Sequence, residues 1–349
     1  MLGSGSPASG APYQVPGMTQ QQGPRGFGNI LGQARKMTEL FELIDSVAAS
    51  EANILIQGEN GTGKELIADA IHQRSERAGG PFIKINCAAI PKDLIESELF
   101  GYKKGAFTGA ALDKIGLLEL AERGSLLLDE IGEVPAYLQT KLLRVLQERE
   151  YRPIGSDRLV RVDFRLICAT NVELEVALRE GKLREDLYFR INTITLRVPP
   201  LRERSEDVPL LAEYFRGVFN DRYHRHVESV SPDALHLLVR HRWAGNVREL
   251  ENAIERAVLV CKTPEITPRD LPDTVREDVD DASEFIVPPH RTLAEIEKMA
   301  IVQTLKRTNW NKLEAAQILG LYRPTLYSKM KKYDIKNDRT ARRGARVTH

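Results

Sequence analysis

The chain has 349 residues, with 50 Lys and Arg against 49 Asp and Glu, 42% hydrophobic and 6% aromatic residues, and three cysteines. That length suggests about two domains, and the apolar share is ample for a sizeable core. No apolar run approaches the ~18–20 residues of a helical membrane span, and the start lacks the charged and apolar segments of a secretion signal.

Residues 1–28 are rich in Gly, Ser, Pro and Gln with almost no aliphatic content, and are expected to be disordered. Compact patterning begins near Ile30, with Met37, Leu40, Phe41 and Ile44 at helical spacing. Across residues 29–200, short apolar runs alternate with helical patterns. Asn53–Gln57, Phe82–Ile85, Ser125–Leu128 and Phe164–Ala169 read as strands, several without the polar alternation of a half-exposed sheet. Leu66, Ile67, Ala70 and Ile71, then Leu138, Leu142, Leu143 and Leu146, mark amphipathic helices between them. This order predicts an α/β domain with a parallel sheet and flanking helices. Cys87, Cys168 and Cys261 are odd in number and lack metal-ligand spacing, which suggests reduced core thiols in a cytoplasmic protein.

Residues 201–262 read as a small helical subdomain. Residues 263–290 hold five prolines and eight acidic residues without helical periodicity, and are expected to be a linker. Residues 291–336 are helical again, and 337–349 form a basic tail that includes Arg339, Arg342, Arg343 and Arg346. From Arg291 to His349 there are fourteen Lys and Arg against five Asp and Glu. Such asymmetry suits a nucleic-acid module, although charge alone suits a solvated basic face equally. His224, His226, His236 and His241 have no acidic or thiol companions at ligand spacing and are taken as helix-surface or core residues.

The segment Gly58, Glu59, Asn60, Gly61, Thr62, Gly63 and Lys64 matches G-x-x-x-x-G-K between an apolar strand and an amphipathic helix. Glycines let successive backbone N–H groups converge on phosphate oxygens, the helix N-terminus adds partial positive charge, and Lys64 reaches the outer phosphates. The next residue is Glu65, where the general motif has the Ser or Thr that ligates Mg2+. Asp129 and Glu130 close the apolar run Leu126–Leu128, and a carboxylate at the C-terminal end of a parallel strand sits beside the phosphate loop. Asp129 would hold Mg2+ and Glu130 would orient the attacking water. An acidic pair is also a common turn, and the phosphate loop upstream favours the catalytic reading. Thr170 and Asn171 end a third strand, where polar side chains either sense the γ-phosphate or simply make a turn.

In the basic unit, Arg291 to Thr308 reads as one amphipathic helix, followed by Asn311–Leu319, Gly320 and Arg323–Lys332. Two short helices around a glycine turn make a helix-turn-helix, with Ala315, Ala316 and Leu319 packing on Leu326 and Met330. Tyr322, Arg323, Thr325, Tyr327, Ser328 and Lys329 open the second helix, where side chains reach base edges, and Lys331 and Lys332 would meet phosphates. Pro324 suits the first helical turn.

Taken together, these motifs resemble those of the sigma-54-dependent transcriptional activators, a branch of the AAA+ ATPases. The most specific element is Gly105, Ala106, Phe107, Thr108, Gly109 and Ala110, the family's GAFTGA signature, preceded by Glu98-Leu-Phe-Gly101. The resemblance spans about Asn29 to Val260 and Arg291 to Ile335. It implies an AAA+ P-loop domain with an α-helical lid subdomain and a C-terminal all-α, Fis-type helix-turn-helix domain. It further implies ATP and Mg2+ as cofactors, a homo-oligomeric ring up to a hexamer, and sigma-54 RNA polymerase and double-stranded enhancer DNA as partners. The Gly105–Ala110 loop would touch the sigma factor. Asn86 matches the residue that pairs with the Walker B glutamate, and Thr170 and Asn171 match sensor I. Arg184 and Arg190 match the arginines presented to a neighbour's nucleotide, and such a residue is worth roughly 10³–10⁵ in rate in related systems. Arg248 matches sensor II, although Ala244 stands where the family usually has proline after Trp243.

Two other classes share parts of this pattern. Another AAA+ remodeller would keep the ATP site without Gly105–Ala110, and a repressor with a decayed ATPase would not keep Lys64, Asp129, Glu130 and both arginines. The ~28 residues ahead of the ATPase are too few for a regulatory domain, so the input signal is expected from a partner or from sequence upstream.

Overall fold

In the computed structural model, residues 26–27, 30–276, 292–308, 310–333 and 335 are described. They fall into two units, divided after Val275. The disorder expected of residues 1–25, the part of the linker at 277–290 and the basic tail at 337–349 all lie outside the described residues.

The first unit is built on five parallel strands, β1 Ile54–Gln57, β2 Phe82–Asn86, β3 Ser125–Asp129, β4 Arg165–Thr170 and β5 Ile194–Arg197, in the order β5-β1-β4-β3-β2. Their residues point alternately into two apolar layers, as a doubly covered sheet requires. Ile54, Ile56, Ile167 and Leu196 pack with Met37, Phe41 and Ile44 of helix α1 (Arg35–Ala48) and Ile67 and Ile71 of α2 (Lys64–Gln73). Leu55, Leu126, Leu128 and Cys168 face the opposite layer with Leu138, Leu142 and Leu146 of α3 (Ala136–Glu148). Leu66, expected on the buried face of α2, is 42% exposed. Arg165 is fully buried among these apolar residues, yet its guanidinium donates to the carbonyls of Val47 (2.9 Å) and Ala48. A buried cation is tolerated there because it satisfies the carbonyls and the negative dipole end of α1.

The α/β expectation holds, with corrections at the edges. The edge strand β5 adds to the strands expected from the sequence; its alternation of Thr195 and Arg197 with Ile194 and Leu196 carries no continuous apolar run. The boundary at residue 28 is too late, since Gly26–Phe27 pairs with Ile30–Leu31 and the buried Phe27 ring stacks on Phe41 at 5.0 Å. Likewise the linker does not begin at 263. Glu265–Ile266 pairs with Ser229–Val230, and Ile266, Leu271 and Val275 are buried in the core of the helical subdomain. The prolines there interrupt periodicity without preventing burial.

Helix α4 (Glu185–Ile191) precedes β5 and buries Leu187 and Ile191 in the layer of α3, whereas the helical subdomain contains α5 (Val208–Tyr223), α6 (Pro232–Arg240) and α7 (Asn246–Val260). Ser231 caps α6 by accepting from the Ala234 N–H, and Pro232 occupies its first turn. Trp243, 1% exposed, anchors the subdomain core and donates its indole N–H to the Leu238 carbonyl at 2.8 Å.

The second unit holds α8 (Leu293–Arg307), α9 (Lys312–Ile318) and α10 (Arg323–Lys332). Ala315, Ala316, Leu326 and Met330 are buried with Ile301 and Leu305, and Leu319 packs at the edge of that cluster. Asn311 caps α9 by accepting from the Leu313 N–H at 3.2 Å.

Candidate functional site

Because all five strands run the same way, their C-terminal ends meet along one rim of the sheet, where open α/β sheets bind ligands. The register makes Asn86 the partner of Asp129 on the neighbouring strand, with Thr170 opposite Gln57. A cleft of about 420 Å3 opens on this rim, lined among others by Asn60, Gly61, Gly63, Lys64, Asp129, Glu130, Asn171 and Arg248.

Lys64 starts α2, and its Nζ donates to the carbonyls of Gly58 (2.8 Å) and Glu59 (3.2 Å) while lying 3.9 Å from Glu130 Oε1. Burial lowers the affinity of this amine for its proton, and the carboxylates of Glu130 and Asp129 work against that fall. Glu130 has φ 54°, in the left-handed region, which turns its side chain out of the strand direction. Its Oε2 accepts the Asn171 N–H at 3.1 Å. Burial raises its pKa, and the hydrogen bond from Asn171 and the charge of Lys64 oppose the rise. Asn171 also donates from Nδ2 to Asn60 Oδ1 at 2.9 Å, joining the end of β4 to the phosphate loop. Thr170 is turned away: it is fully buried, and its hydroxyl accepts the Val172 N–H at 3.1 Å.

Asn86 does not pair with Glu130. Its Nδ2 donates to Asp129 Oδ2 at 3.1 Å, because these two are register partners and Glu130 is swung aside by its left-handed backbone. The Asn86 Oδ1 accepts the N–H groups of Ala88 and Ala89 at 3.0 and 3.1 Å. Asp129 Oδ1 accepts the Glu130 N–H at 3.0 Å. Each Asp129 oxygen thus has one hydrogen bond and further lone pairs on the cleft side, a donor set suited to a hard divalent cation. Glu65 is held by Lys84 Nζ at 2.9 Å. Thr62 is buried, with its hydroxyl donating to the Glu59 carbonyl at 2.8 Å.

The segment Gly105–Ala110 stands in a different environment. It projects from an antiparallel pair formed by Gly101–Tyr102 and Lys114–Ile115. Gly105 N–H donates to the Ala110 carbonyl at 2.9 Å, closing the loop, and Asp113 braces its base through the Lys103 ammonium and the Lys104 N–H. Phe107 is 43% exposed, with its ring edge-on to Tyr102 at 4.9 Å. Ala110 is buried, and Ala106, Thr108 and Gly109 complete the tip.

Residues 30–197 match the sigma-54 interaction domain, residues 202–285 the AAA+ ATPase lid domain, and residues 292–333 the Fis family of bacterial regulatory proteins. The regulatory protein AtoC of Escherichia coli is 47% identical over 315 residues, covering 88% of this chain and 68% of AtoC. The chain belongs to the sigma-54-dependent transcriptional activators. The formate hydrogenlyase transcriptional activator FhlA of Escherichia coli is 45% identical over 316 residues, which cover 88% of this chain and 45% of FhlA. The crystal structure of NtrX from Brucella abortus in complex with ATP matches with a TM-score of 0.67 and 33% identity, over 88% of this chain and 70% of that one. The main domain of this sigma-54 activator is therefore an AAA+ P-loop ATPase, followed by a lid and a helix-turn-helix domain.

Two arginines singled out from the sequence lie outside the cleft. Arg184 caps the approach to α4, held by two hydrogen bonds to Asp186 at 3.0 and 2.7 Å, and its backbone is fixed by Gln139 Oε1 at 2.9 Å. Arg190 donates to the Leu146 carbonyl at 2.8 Å. Arg184 lines a separate shallow surface with Glu185, Asp186 and Phe189, and Phe189 is 67% exposed. In the helix-turn-helix unit Tyr322, Arg323, Thr325, Tyr327, Ser328, Lys331 and Lys332 are exposed. Lys312 and Arg323 lie 4.7 and 5.8 Å from the centre of the Tyr327 ring. Lys329 differs from the others: its ammonium pairs with Glu297 of α8, which also accepts from Tyr333. Among the four histidines, His224, His226 and His236 are exposed, whereas His241 is buried edge-on to Trp243 with Nε2 3.2 Å from Glu249.

The sequence reading missed a group that touches the phosphate loop from the lid. Glu59 accepts from both arms of Arg202, at 2.6 and 2.7 Å, and from Asn246 Nδ2 at 3.1 Å. These bonds pull the Glu59 carboxyl down to about 2. Glu59, Arg202 and Asn246 are far apart in sequence and individually unremarkable in type, so only the fold assembles them.

Proposed function

We propose that this chain hydrolyses ATP as a ring of identical subunits and uses the cycle to remodel a sigma-54 RNA polymerase complex, while its helix-turn-helix domain holds upstream double-stranded DNA. One observation carries this reading. A single cleft gathers Lys64, Asp129, Glu130, Asn171 and Arg248, whereas Arg184 and Arg190 stand on another surface of the same subunit. Arginines placed there suit a neighbour's triphosphate rather than their own. The ATP bound to NtrX supports an adenine nucleotide as the ligand.

In this reading the loop N–H groups and Lys64 bind the triphosphate, with Lys64 exchanging the Gly58 and Glu59 carbonyls for phosphate oxygens. Asp129 is the residue placed to hold Mg2+, which supplies charge neutralisation at the phosphates when bound. Glu130, oriented by Asn171 and by its left-handed backbone, aligns the attacking water. A neighbour's Arg184 and Arg190 offset the charge that develops in transfer. Asn86 ties Asp129 to the Ala88–Ala89 backbone, so a change at the phosphates passes along that segment toward Phe107, which contacts the sigma factor. Tyr322, Arg323, Thr325, Tyr327 and Ser328 face base edges, with Lys331 and Lys332 on phosphates. Lys329 would meet DNA with part of its ammonium engaged by Glu297.

Phe107→Ala separates these parts. ATP turnover should stay within about twofold of the parent, while sigma-54-dependent transcription in vitro is lost. Equal loss of both would break the proposed division of labour. Turnover per subunit should also fall on dilution below the concentration at which subunits associate. Full turnover by isolated single copies would overturn the ring.

A further inference from the structure

An α-helix begins with about four N–H groups that have no acceptor within it. At α7 of the lid, two of them find one in the phosphate loop: the Val247 and Arg248 N–H groups donate to the Gly61 carbonyl at 3.0 and 3.3 Å. The residue that opens the helix, Asn246, is fully buried and sits at φ 55°, a left-handed conformation that costs a non-glycine residue about 1 kcal/mol or more. Its side chain makes three hydrogen bonds. Nδ2 donates to Glu59 Oε2 (3.1 Å) and to the Asn60 carbonyl (3.0 Å), and Oδ1 accepts the Leu201 N–H (2.8 Å). The fit leaves no slack, since a Cβ on Gly61 would lie 2.3 Å from the Gly245 carbonyl oxygen.

We propose that Asn246 is a positioning residue that seats the lid helix on the phosphate loop, so that the conformation the loop adopts at a triphosphate sets where Arg248 points. The Asn60 carbonyl faces Asn246 and the Gly61 carbonyl faces Val247 and Arg248, while the N–H groups joined to those carbonyls, of Gly61 and Thr62, belong to the loop that would cradle phosphates. A peptide unit is planar, so rotating an N–H toward a phosphate also turns the carbonyl joined to it. The lid helix therefore follows the loop, and Arg248 follows because it lies two residues beyond Asn246. Glu59 and Arg202 add an outer ion pair that holds the Leu201 segment against the same seat. This inference rests on the proposal that the cleft binds a nucleoside triphosphate, and it adds how the lid senses it.

The test uses the full chain, a fluorescent non-hydrolysable ATP analogue with Mg2+, and thermal melting with and without that probe. Binding by the parent and its loss in Lys64→Ala establish the cleft, and failure there would overturn the functional proposal rather than this one. Asn246→Ala should weaken the probe roughly tenfold, the weight of one or two buried hydrogen bonds, and shrink the rise in Tm that the probe gives. A purely structural asparagine would instead lower Tm with and without probe alike and leave its Kd unchanged. Asn246→Asp should bind more weakly still, with a carboxylate facing Glu59. Combining it with Glu59→Gln exchanges donor and acceptor across the same contact and should recover part of the lost affinity. A folded Asn246→Ala protein with Kd within twofold of the parent overturns the proposal. Should Asn246→Ala fail to fold, the comparison of Asn246→Asp with the double variant decides it, and a double variant no better than Asn246→Asp overturns it.

Discussion

The phosphate loop and the Gly105–Ala110 loop are both glycine-rich, yet they use glycine for opposite ends. At Gly61 the chain is at φ +76° and a Cβ would collide with the Gly245 carbonyl oxygen, so the missing side chain lets the lid close onto the loop. At Gly105, with φ +83°, nothing lies within 4 Å of where a Cβ would be. There the glycine sets a backbone turn in open solvent, and the loop depends on its own backbone hydrogen bonds, such as those from Gly105 to Ala110 and from Ala110 to Phe107, and on the Asp113 brace. One loop is held by tertiary contact from a second subdomain. The other is held at its base, by the Phe107 ring on Tyr102 and by Ala106 packed against Gly155, and still leaves Phe107 43% exposed.

The largest effect should come from the held loop's cation. Lys64→Ala removes the ammonium from phosphate charge in a partly buried site, and turnover should fall roughly 10²–10³-fold or more. A steady-state ATPase assay checks this, and near-normal turnover would remove the phosphate-loop assignment. Next in size is the glycine pair itself. Gly61→Ala meets both strain and a backbone clash and should destabilise the first unit by about 2–4 kcal/mol in urea unfolding. Gly105→Ala carries only the conformational cost, about 1–2 kcal/mol or less where the loop can relax. Equal losses from the two would erase the contrast drawn between the loops.

The parts of this arrangement that local pattern controls are the parts legible in the sequence. β1, β3 and β4 each carry an unbroken apolar run (Ile54–Ile56, Leu126–Leu128 and Leu166–Ala169), and the helix-turn-helix has a cap at Asn311, a proline in the first turn of α10 and small residues at its contact, so each announces itself within about ten residues. Strand β5 is at the sheet edge and mixes Thr and Arg with aliphatic residues, which removes that signal. The phosphate-loop residues were readable because backbone geometry at phosphates restricts residue type. The partner of Asn86 was not, since choosing between adjacent carboxylates at 129 and 130 depends on one left-handed φ at Glu130. The lid seat was hidden for a further reason. Glu59 and Asn246 are 187 residues apart, and an ordinary glutamate and asparagine gain meaning only when the helix that carries one lands on the loop that carries the other.

The smallest expected effect distinguishes the two loops by how their carboxylates are held. Glu59 is pulled from 4.5 to about 2 by hydrogen bonds from Arg202 and then Asn246, and Asp113 is pulled below its usual range by the Lys103 hydrogen bond and then the Lys104 N–H. A carboxyl group with a lowered pKa in the folded state adds stability that is complete above its unfolded value and fades as pH falls through the folded one. For Glu59 the fading therefore runs from about pH 4.5 down to about 2. Glu59 and Arg202 are each more than two-fifths exposed, so screening by water limits the gain to about 1 kcal/mol or less. Urea unfolding of Glu59→Gln should accordingly differ most from the parent near pH 7, with the difference shrinking below pH 4.5 and closing only near pH 2. Salt separates the cases. In 1 M NaCl the Debye length shrinks to about 3 Å, so the part of the Asp113→Asn difference that comes from the exposed Lys103 ammonium should vanish, leaving at most the share of the Lys104 N–H. Part of the Glu59→Gln difference should persist, because the bond from the buried Asn246 amide carries no net charge to screen. Loss of both differences in salt would mean that the lid touches Glu59 only through Arg202, and the seat at Asn246 would contribute nothing of its own.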